Sequence, residues 1–75
     1  MCAIVGVYGA KKASTVAYYS LFAMQHRGQE ATGISVANGK NISLYKKRGM
    51  VADVFSQETL NKLDGECAVG HNRYS

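Results

Sequence analysis

The sequence predicts an α+β fold in which helices cover a β-sheet. One observation is the order of the apolar runs, which indicates strand, helix, strand-hairpin-strand, helix and strand. Another is the segment Ala13–Met24, which is apolar on more than one side and therefore needs covering on two sides. A hydrophobic content of 47% is typical of a globular chain, and 75 residues allow one small domain at most.

The first two elements are an apolar strand and an apolar helix. Ala3–Tyr8 is a continuous apolar run rich in β-branched residues, which predicts a strand covered on both faces and hence central in its sheet. Ser14 or Thr15 can cap a helix that runs to about Gln25. The polar segment His26–Glu30 contains a glycine and predicts a loop.

The middle of the chain predicts a β-hairpin. Apolar and small polar residues alternate in Thr32–Ala37, as in a strand with one buried face. Asn38-Gly39 follows, which is a strong hairpin signal, and Ile42–Lys46 is the expected partner strand. Arg48-Gly49 then predicts a turn.

The last third predicts helical segments and a final strand. Val51–Phe55 indicates a short helical turn, and Ser56 can cap a helix that continues through Leu63. A turn at Asp64-Gly65 leads into a mostly apolar strand, Cys67–Arg73.

Composition narrows the classes of function. The net charge of +4 comes from scattered lysines and arginines without the signature of a nucleic-acid-binding module, so we expect a solvated basic surface; a small anion-binding module stays open as an alternative. The apolar stretches are too short for a membrane span and no signal peptide is evident, which predicts a cytoplasmic protein. Cys2 and Cys67 have no metal-ligand or disulfide-framework spacing, and we expect Cys67 to be buried and inert.

Cys2 is the residue with the clearest chemical potential. Removal of Met1 would give Cys2 a free α-amine beside its thiol. An α-amine has a pKa of about 7.7–8.0, so part of it is unprotonated at neutral pH. That amine could accept the thiol's proton and activate the nucleophile without a histidine.

Three segments carry a family resemblance: Met1–Gly6, Gln25–Glu30 and Gly70–Ser75. In this order and at these separations they resemble the glutaminase domain of class II glutamine amidotransferases. Gln-His-Arg-Gly-Gln-Glu and the His-x-Arg-Tyr-Ser ending are typical of the branch that acts on phosphoribosyl pyrophosphate. The glucosamine-6-phosphate synthase and asparagine synthetase branches remain the alternatives within the family. These branches typically have other amino-acid motifs at the corresponding segments.

The resemblance implies an N-terminal-nucleophile hydrolase, an α/β/β/α sandwich of which residues 1–75 would be the incomplete N-terminal part. It implies a reaction in which Cys2 forms a glutamyl thioester and ammonia passes to an absent phosphoribosyltransferase domain. There it would displace pyrophosphate in the first step of purine synthesis. We expect no cofactor on this segment, magnesium on the absent domain and a homo-oligomeric parent enzyme, and an iron–sulfur cluster stays an open question.

The resemblance also assigns roles to individual residues. Cys2 would be the nucleophile and Arg73 the ligand of glutamine's α-carboxylate, a role that suits a planar guanidinium. Arg27 and Gly28 would shape the loop beside the nucleophile. The simpler alternatives are a surface position for Arg73 and a structural ion pair between Arg27 and Glu30.

Other features of the sequence qualify this assignment. His26 and His71 could form a Cys–His dyad, but the α-amine already fills the role of the base. Ala3 stands where the family usually has glycine. The family's oxyanion-hole Asn-Gly pair and its amine-binding aspartate would lie beyond Ser75, so residues 1–75 alone are expected to be inactive.

Overall fold

Seven secondary-structure elements are present in the structure, a computed structural model that describes residues 2–25 and 29–74. They follow the predicted order of strands and helices. In chain order they are β1 (Cys2–Tyr8), α1 (Ala13–Met24), β2 (Gln29–Ala37), β3 (Ile42–Arg48), α2 (Val51–Val54), α3 (Gln57–Lys62) and β4 (Cys67–Tyr74). None of the helices in this part of the chain has the length and hydrophobicity that a membrane-spanning helix needs.

The four strands form one antiparallel sheet in the order β1-β4-β2-β3. Residues that face each other across the strands form rows, and one such row contains Cys2, Arg73, Ala31 and Arg48. Because side chains alternate between the two faces of a strand, every member of a row lies on the same face. The sheet therefore brings both ends of the sequence together.

One face of the sheet is covered by helices, and the core lies between these layers. Helix α1 packs across β1, β4 and β2 and also touches α2 and α3. In the aromatic part of the core, the ring of Phe55 contacts Tyr18 at 6.3 Å and Tyr45 at 5.8 Å between centroids. The fully or nearly fully buried apolar residues are Ala13, Ala17, Leu21, Ile34, Val36, Val51, Val54, Phe55, Leu60, Leu63 and Ala68.

The other face of the sheet is not covered by any described part of the chain. Its apolar residues are strongly exposed, among them Tyr8 (92%), Ile42 (77%) and Ile4 (71%). Leu44 and Val69 are also exposed on this side. We call this surface, made of the residues that alternate with the core-facing ones, the open face of the sheet.

The prediction that the first strand is central was wrong for this sheet. Strand β1 lies at the edge, and its residues alternate between exposed and half-buried. An apolar run shows that both faces of a strand are apolar, but it does not show what covers them. In β1, only the side with Val5 and Val7 packs against the core.

The predicted start of the first helix was also wrong. Helix α1 begins at Ala13 after Lys12, and no side chain caps its first turn. Ser14 is buried inside the first turn and donates its hydroxyl to Leu60 O at 3.0 Å. The Ser14 hydroxyl therefore bonds a residue distant in sequence and does not cap the helix as predicted.

The C-terminal end of α1 is tied to the last strand by side chains. Asn72 is fully buried and donates its amide Nδ2 to Leu21 O at 2.9 Å. The Tyr74 hydroxyl donates to Met24 O. The last carbonyls of a helix lack partners within the helix, so these bonds satisfy them and fix where α1 ends.

The predicted loop His26–Glu30 is partly corrected. Gln29 and Glu30 belong to β2, while residues 26–28 lie outside the described residues. The pairing of β2 with β4 shifts between Gln29 and Ala31, which makes Glu30 the extra residue of a β-bulge. Strand β2 therefore starts earlier than the alternation of apolar residues indicated.

The hairpin and the short helices agree with the prediction. Asn38 Oδ1 accepts hydrogen bonds from the backbone of Lys40 and Asn41 in the loop between β2 and β3. Gly39 has a positive φ of 92°, which suits glycine in such a turn. Ser56 caps α3 by accepting a hydrogen bond from Thr59 N at 3.1 Å.

Cys67 is not the buried mid-strand residue that we expected. It is the first residue of β4 and is only half-buried. Its partners in the sheet are Tyr8 and Ala37, at the end of the sheet away from Cys2. Both cysteines carry free thiols.

Candidate active site

Cys2 begins β1 on the open face of the sheet, and its side chain is exposed. The next residue, Ala3, is half-buried and lies on the opposite face, in the row that contains Asn72. The methyl group that replaces the family's usual hydrogen therefore points away from the thiol. The surface next to Cys2 gains no bulk from this substitution.

Arg73 is the direct partner of Cys2 in the sheet. Facing residues of antiparallel strands have Cα atoms about 4.5–5.5 Å apart, and their side chains lie on the same face. The Arg73 side chain is 67% exposed, so its guanidinium is available to a ligand. A thiol and a guanidinium thus stand side by side at one end of the open face.

Glu30 adds a carboxylate to this group. Its Oε2 lies 3.9 Å from Nε of Arg73, and the Glu30 side chain is 49% exposed. Since both partners are in contact with solvent, the pair contributes little to stability, in the range of about 0–1 kcal/mol. The pair matters more for geometry, because the carboxylate of Glu30 lies beside Nε of the Arg73 guanidinium.

A concave pocket of about 340 Å³ lies beside this ion pair. Its lining consists of Glu30, Ala31, Arg48 and Arg73. Ala31 lies between the two arginines in the same row of the sheet, and its small side chain leaves room above it. Two guanidinium groups against one carboxylate give the pocket a net positive charge, which suits a ligand with a carboxylate.

His71 lies on the same face, two rows further from the end of the sheet, opposite Ile4. It is exposed. The hydrogen bonds of the described residues include none between His71 and the Cys2 thiol.

The structure brings together some of the residues that the sequence singled out. Cys2 and Arg73 are adjacent in the sheet. Arg27 and Gly28 lie outside the described residues, as does His26. Their predicted roles therefore stay predictions.

Sequence reasoning missed two residues of the pocket. Glu30 was considered only as an ion-pair partner of Arg27, whereas the structure pairs it with Arg73. Arg48 was assigned to a turn, but it is the last residue of β3. Extending the alternation of Ile42, Leu44 and Lys46 by one more step would have placed Arg48 on the same face.

The described residues offer no metal site, because no three His, Cys, Asp or Glu side chains among them lie close enough to hold an ion. The groups that are present can supply a nucleophile and a cationic ligand for a carboxylate. A substrate with a carboxylate and an electrophilic carbon fits this combination.

Known proteins resemble the chain along its whole length. It is 51% identical to an amidophosphoribosyltransferase of Methanocaldococcus jannaschii, with 100% of the chain and 16% of that protein covered. It is 49% identical to the amidophosphoribosyltransferase of Methanothermobacter thermautotrophicus, with 99% and 16% covered. A chloroplastic amidophosphoribosyltransferase of Arabidopsis thaliana is 46% identical, with 99% and 14% covered. The chain thus spans about a sixth of the length of these relatives, and no family model matches it.

Solved structures agree with the relatives. A chain described as the allosteric regulatory enzyme of purine biosynthesis superposes with a TM-score of 0.91 at 36% identity. Glutamine phosphoribosylpyrophosphate amidotransferase from B. subtilis, complexed with ADP and GMP, gives 0.90 at 36% identity. Each comparison covers 100% of this chain and 16% of the other. The predicted α+β fold and the resemblance to this group of enzymes are confirmed.

Proposed function

We propose that this chain is the N-terminal part of the glutaminase domain of an amidophosphoribosyltransferase. The observation that carries the proposal is the pairing of Cys2 with Arg73 on the open face of the sheet. A nucleophile and an arginine that can bind a carboxylate face each other there. The relatives of the chain are named amidophosphoribosyltransferases. None of the relatives named above is a glucosamine-6-phosphate or asparagine synthetase.

Substrate binding is the first step that the geometry supports. The guanidinium of Arg73 donates two parallel N–H bonds to the α-carboxylate of glutamine. The net positive charge of the pocket attracts the same carboxylate. With its carboxylate held at Arg73, glutamine lies next to the strand on which Cys2 stands. Arg27 and Gly28 complete the binding loop in this proposal.

The thiol of Cys2 then transfers its proton to the α-amine that removal of Met1 has exposed. The sulfur attacks the side-chain amide carbon of glutamine and forms a tetrahedral intermediate. The C–N bond breaks, the nitrogen takes the proton from the ammonium group of Cys2, and ammonia leaves. The remaining glutamyl thioester reacts with water to give glutamate and the free thiol.

Some of the basic residues of the chain lie near this site. Lys46 and Arg48 lie on the open face in the same strand, and Arg73 lies in the row of Arg48, with Ala31 between the two arginines. This placement accounts for a cluster of cations without a nucleic-acid partner.

Several parts of the proposal concern residues beyond this chain. Ammonia would displace pyrophosphate from phosphoribosyl pyrophosphate in a second domain, which would bind magnesium. The parent enzyme would be a cytoplasmic homo-oligomer with an N-terminal-nucleophile hydrolase fold in its glutaminase domain. The support for these points is the similarity to amidophosphoribosyltransferases over the whole of this chain.

The test uses the full-length protein that contains these residues. Glutamate formation from glutamine, and pyrophosphate release with either glutamine or ammonia as nitrogen source, are measured for the unsubstituted protein and for Cys2→Ser. We expect Cys2→Ser to lose the glutamine-dependent reactions and to keep the ammonia-dependent one. An equal fall in both reactions would assign a structural role to Cys2 and contradict the proposal.

A further inference from the structure

The β-bulge at the start of β2 is held in place by several bonds. The buried Gln29 side chain donates from Nε2 to Ala31 O at 2.9 Å and to Gly49 O at 2.7 Å. Gly49 N donates to Glu30 O at 2.8 Å. These bonds fix the backbone of Glu30 between its own strand and the turn after β3, where Gly49 has a φ of 133° that suits glycine.

The bulge determines where the Glu30 side chain lies. Gln29 pairs with Tyr74 and Ala31 pairs with Arg73, so Glu30 is the extra residue between two regular pairs. Such bulges often redirect a side chain next to a functional site. In this case the carboxylate of Glu30 reaches Nε of Arg73 at 3.9 Å, at the edge of the pocket.

We propose that Glu30 is a positioning residue that orients the guanidinium of Arg73 for the α-carboxylate of glutamine. The inference rests on the proposed function. A guanidinium has five N–H donors in a rigid fork, and Glu30 engages it at Nε. The two terminal nitrogens stay available as the fork that binds a carboxylate in bidentate fashion.

Orientation has an energetic consequence. An exposed arginine has many rotamers, and ordering it on binding lowers the affinity for the ligand. The bulge fixes the backbone of Glu30, and its carboxylate, 3.9 Å from Nε, favours the Arg73 rotamers that keep the ion pair before the substrate arrives. Arg48 keeps the pocket positive even though Glu30 contributes a negative charge. The carboxylate of Glu30 can therefore improve the binding of an anionic group to Arg73 instead of repelling that group.

The opposite role is also testable. Glu30 could compete with the substrate for Arg73, in which case its removal would strengthen glutamine binding. The two roles predict opposite signs for the change in the glutamine KM. That sign decides between them.

The experiment compares Glu30→Gln, Glu30→Asp and the unsubstituted full-length enzyme. We expect Glu30→Gln to raise the glutamine KM about two- to fivefold, the range for an exposed ion pair, with kcat at saturating glutamine unchanged. Glu30→Asp should restore part of the loss. The KM for glutamine α-amide, which lacks the carboxylate, should not change, and Glu58→Gln on the exposed side of α3 is the matched control.

The kcat at saturating glutamine and the KM for glutamine α-amide show whether the glutaminase domain of each variant is folded, and the Asp variant keeps the test valid if the Gln variant is not. A glutamine KM that is unchanged or lower in the Glu30 variants overturns the positioning role. An equal rise in the KM values for glutamine and its α-amide also overturns it. An unsubstituted enzyme that forms no glutamate from glutamine overturns the proposed function itself, and this inference with it.

Discussion

Cys2 and Arg73 lie at opposite ends of the sequence and face each other in the sheet. Their proximity results from the antiparallel pairing of β1 with β4, which places the start of one strand beside the end of the other. In the proposed mechanism the base is the α-amine of Cys2, which must be free to accept the thiol's proton. The chemistry of this residue therefore depends on how the N-terminus is processed.

We predict that removal of Met1 is obligatory for glutamine-dependent activity of the full-length enzyme. With Met1 present, the nitrogen of Cys2 is an amide and cannot accept the thiol's proton. General base catalysis typically contributes about 10²–10⁴-fold to a rate. Intact-mass analysis of active enzyme should show Cys2 as the first residue. An enzyme that retains Met1 and is fully active would contradict the mechanism.

A second prediction concerns Arg73→Lys. Lysine keeps the positive charge but loses the planar fork that binds a carboxylate through two parallel bonds. We expect the glutamine KM to rise about ten- to a hundredfold, the range for a lost hydrogen bond to a charged group. The ammonia-dependent reaction is the internal control and should be unchanged. Unaltered glutamine kinetics would assign Arg73 to the surface.

At the scale of elements, the strands and the hairpin could be predicted because their signals are local. Alternating apolar residues and Asn38-Gly39 indicate a hairpin without reference to the rest of the chain. The capping of α3 by Ser56 is local in the same way, since Ser56 and Thr59 are three positions apart. Such elements can be predicted from neighbouring residues without knowing how the strands pair.

The features that could not be predicted depend on contacts between distant residues. Ser14 bonds Leu60 instead of capping its helix, and Gln29 bonds Gly49 to form the bulge that presents Glu30. The edge position of β1 depends on the order of the strands, which its apolar composition does not encode. Cys2 and Arg73 could therefore be singled out from the sequence and its family resemblance, while the carboxylate of Glu30 beside Arg73 could not.

Gly65 provides a prediction about packing between elements. A Cβ atom at this position would lie 2.5 Å from Ala37 O and 2.6 Å from Val36 Cγ1. The first of these atoms belongs to the backbone of β2, which cannot move aside as a side chain could. The turn is also tied to α1, since Ala13 N donates to Gly65 O at 3.3 Å.

We expect Gly65→Ala to lower the free energy of unfolding by about 1–3 kcal/mol, as overpacked substitutions do. Denaturant-induced unfolding of the full-length protein measures the change. Asp64→Ala is the matched control, because Asp64 is exposed and its replacement leaves Gly65 in place. Equal stability of the two variants would show that the turn moves away from β2 without cost.

At the scale of the whole molecule, the sheet and the helices cover each other on one side, and the outer side of each layer is exposed among the described residues. The open face of the sheet exposes Tyr8, Ile42 and Ile4 by more than two thirds. On α1, Tyr19 is 65% and Phe22 46% exposed, on the side away from the sheet. This confirms that the helix is apolar beyond the surface that the sheet covers. Apolar surface of this extent is unusual for a small protein that is stable by itself.

We therefore predict that the isolated 75-residue chain is partly unfolded or aggregates in water. Its single core is small, and chains of this length bury only about 60% of their unfolded surface, which leaves little net stability after the cost of ordering about 1.5 kcal/mol per residue. Thermal unfolding followed by circular dichroism, with the oligomeric state checked by sedimentation, measures this directly. A sharp and reversible transition of a monomer would show that the helix–sheet layer is stable without a partner for its open face.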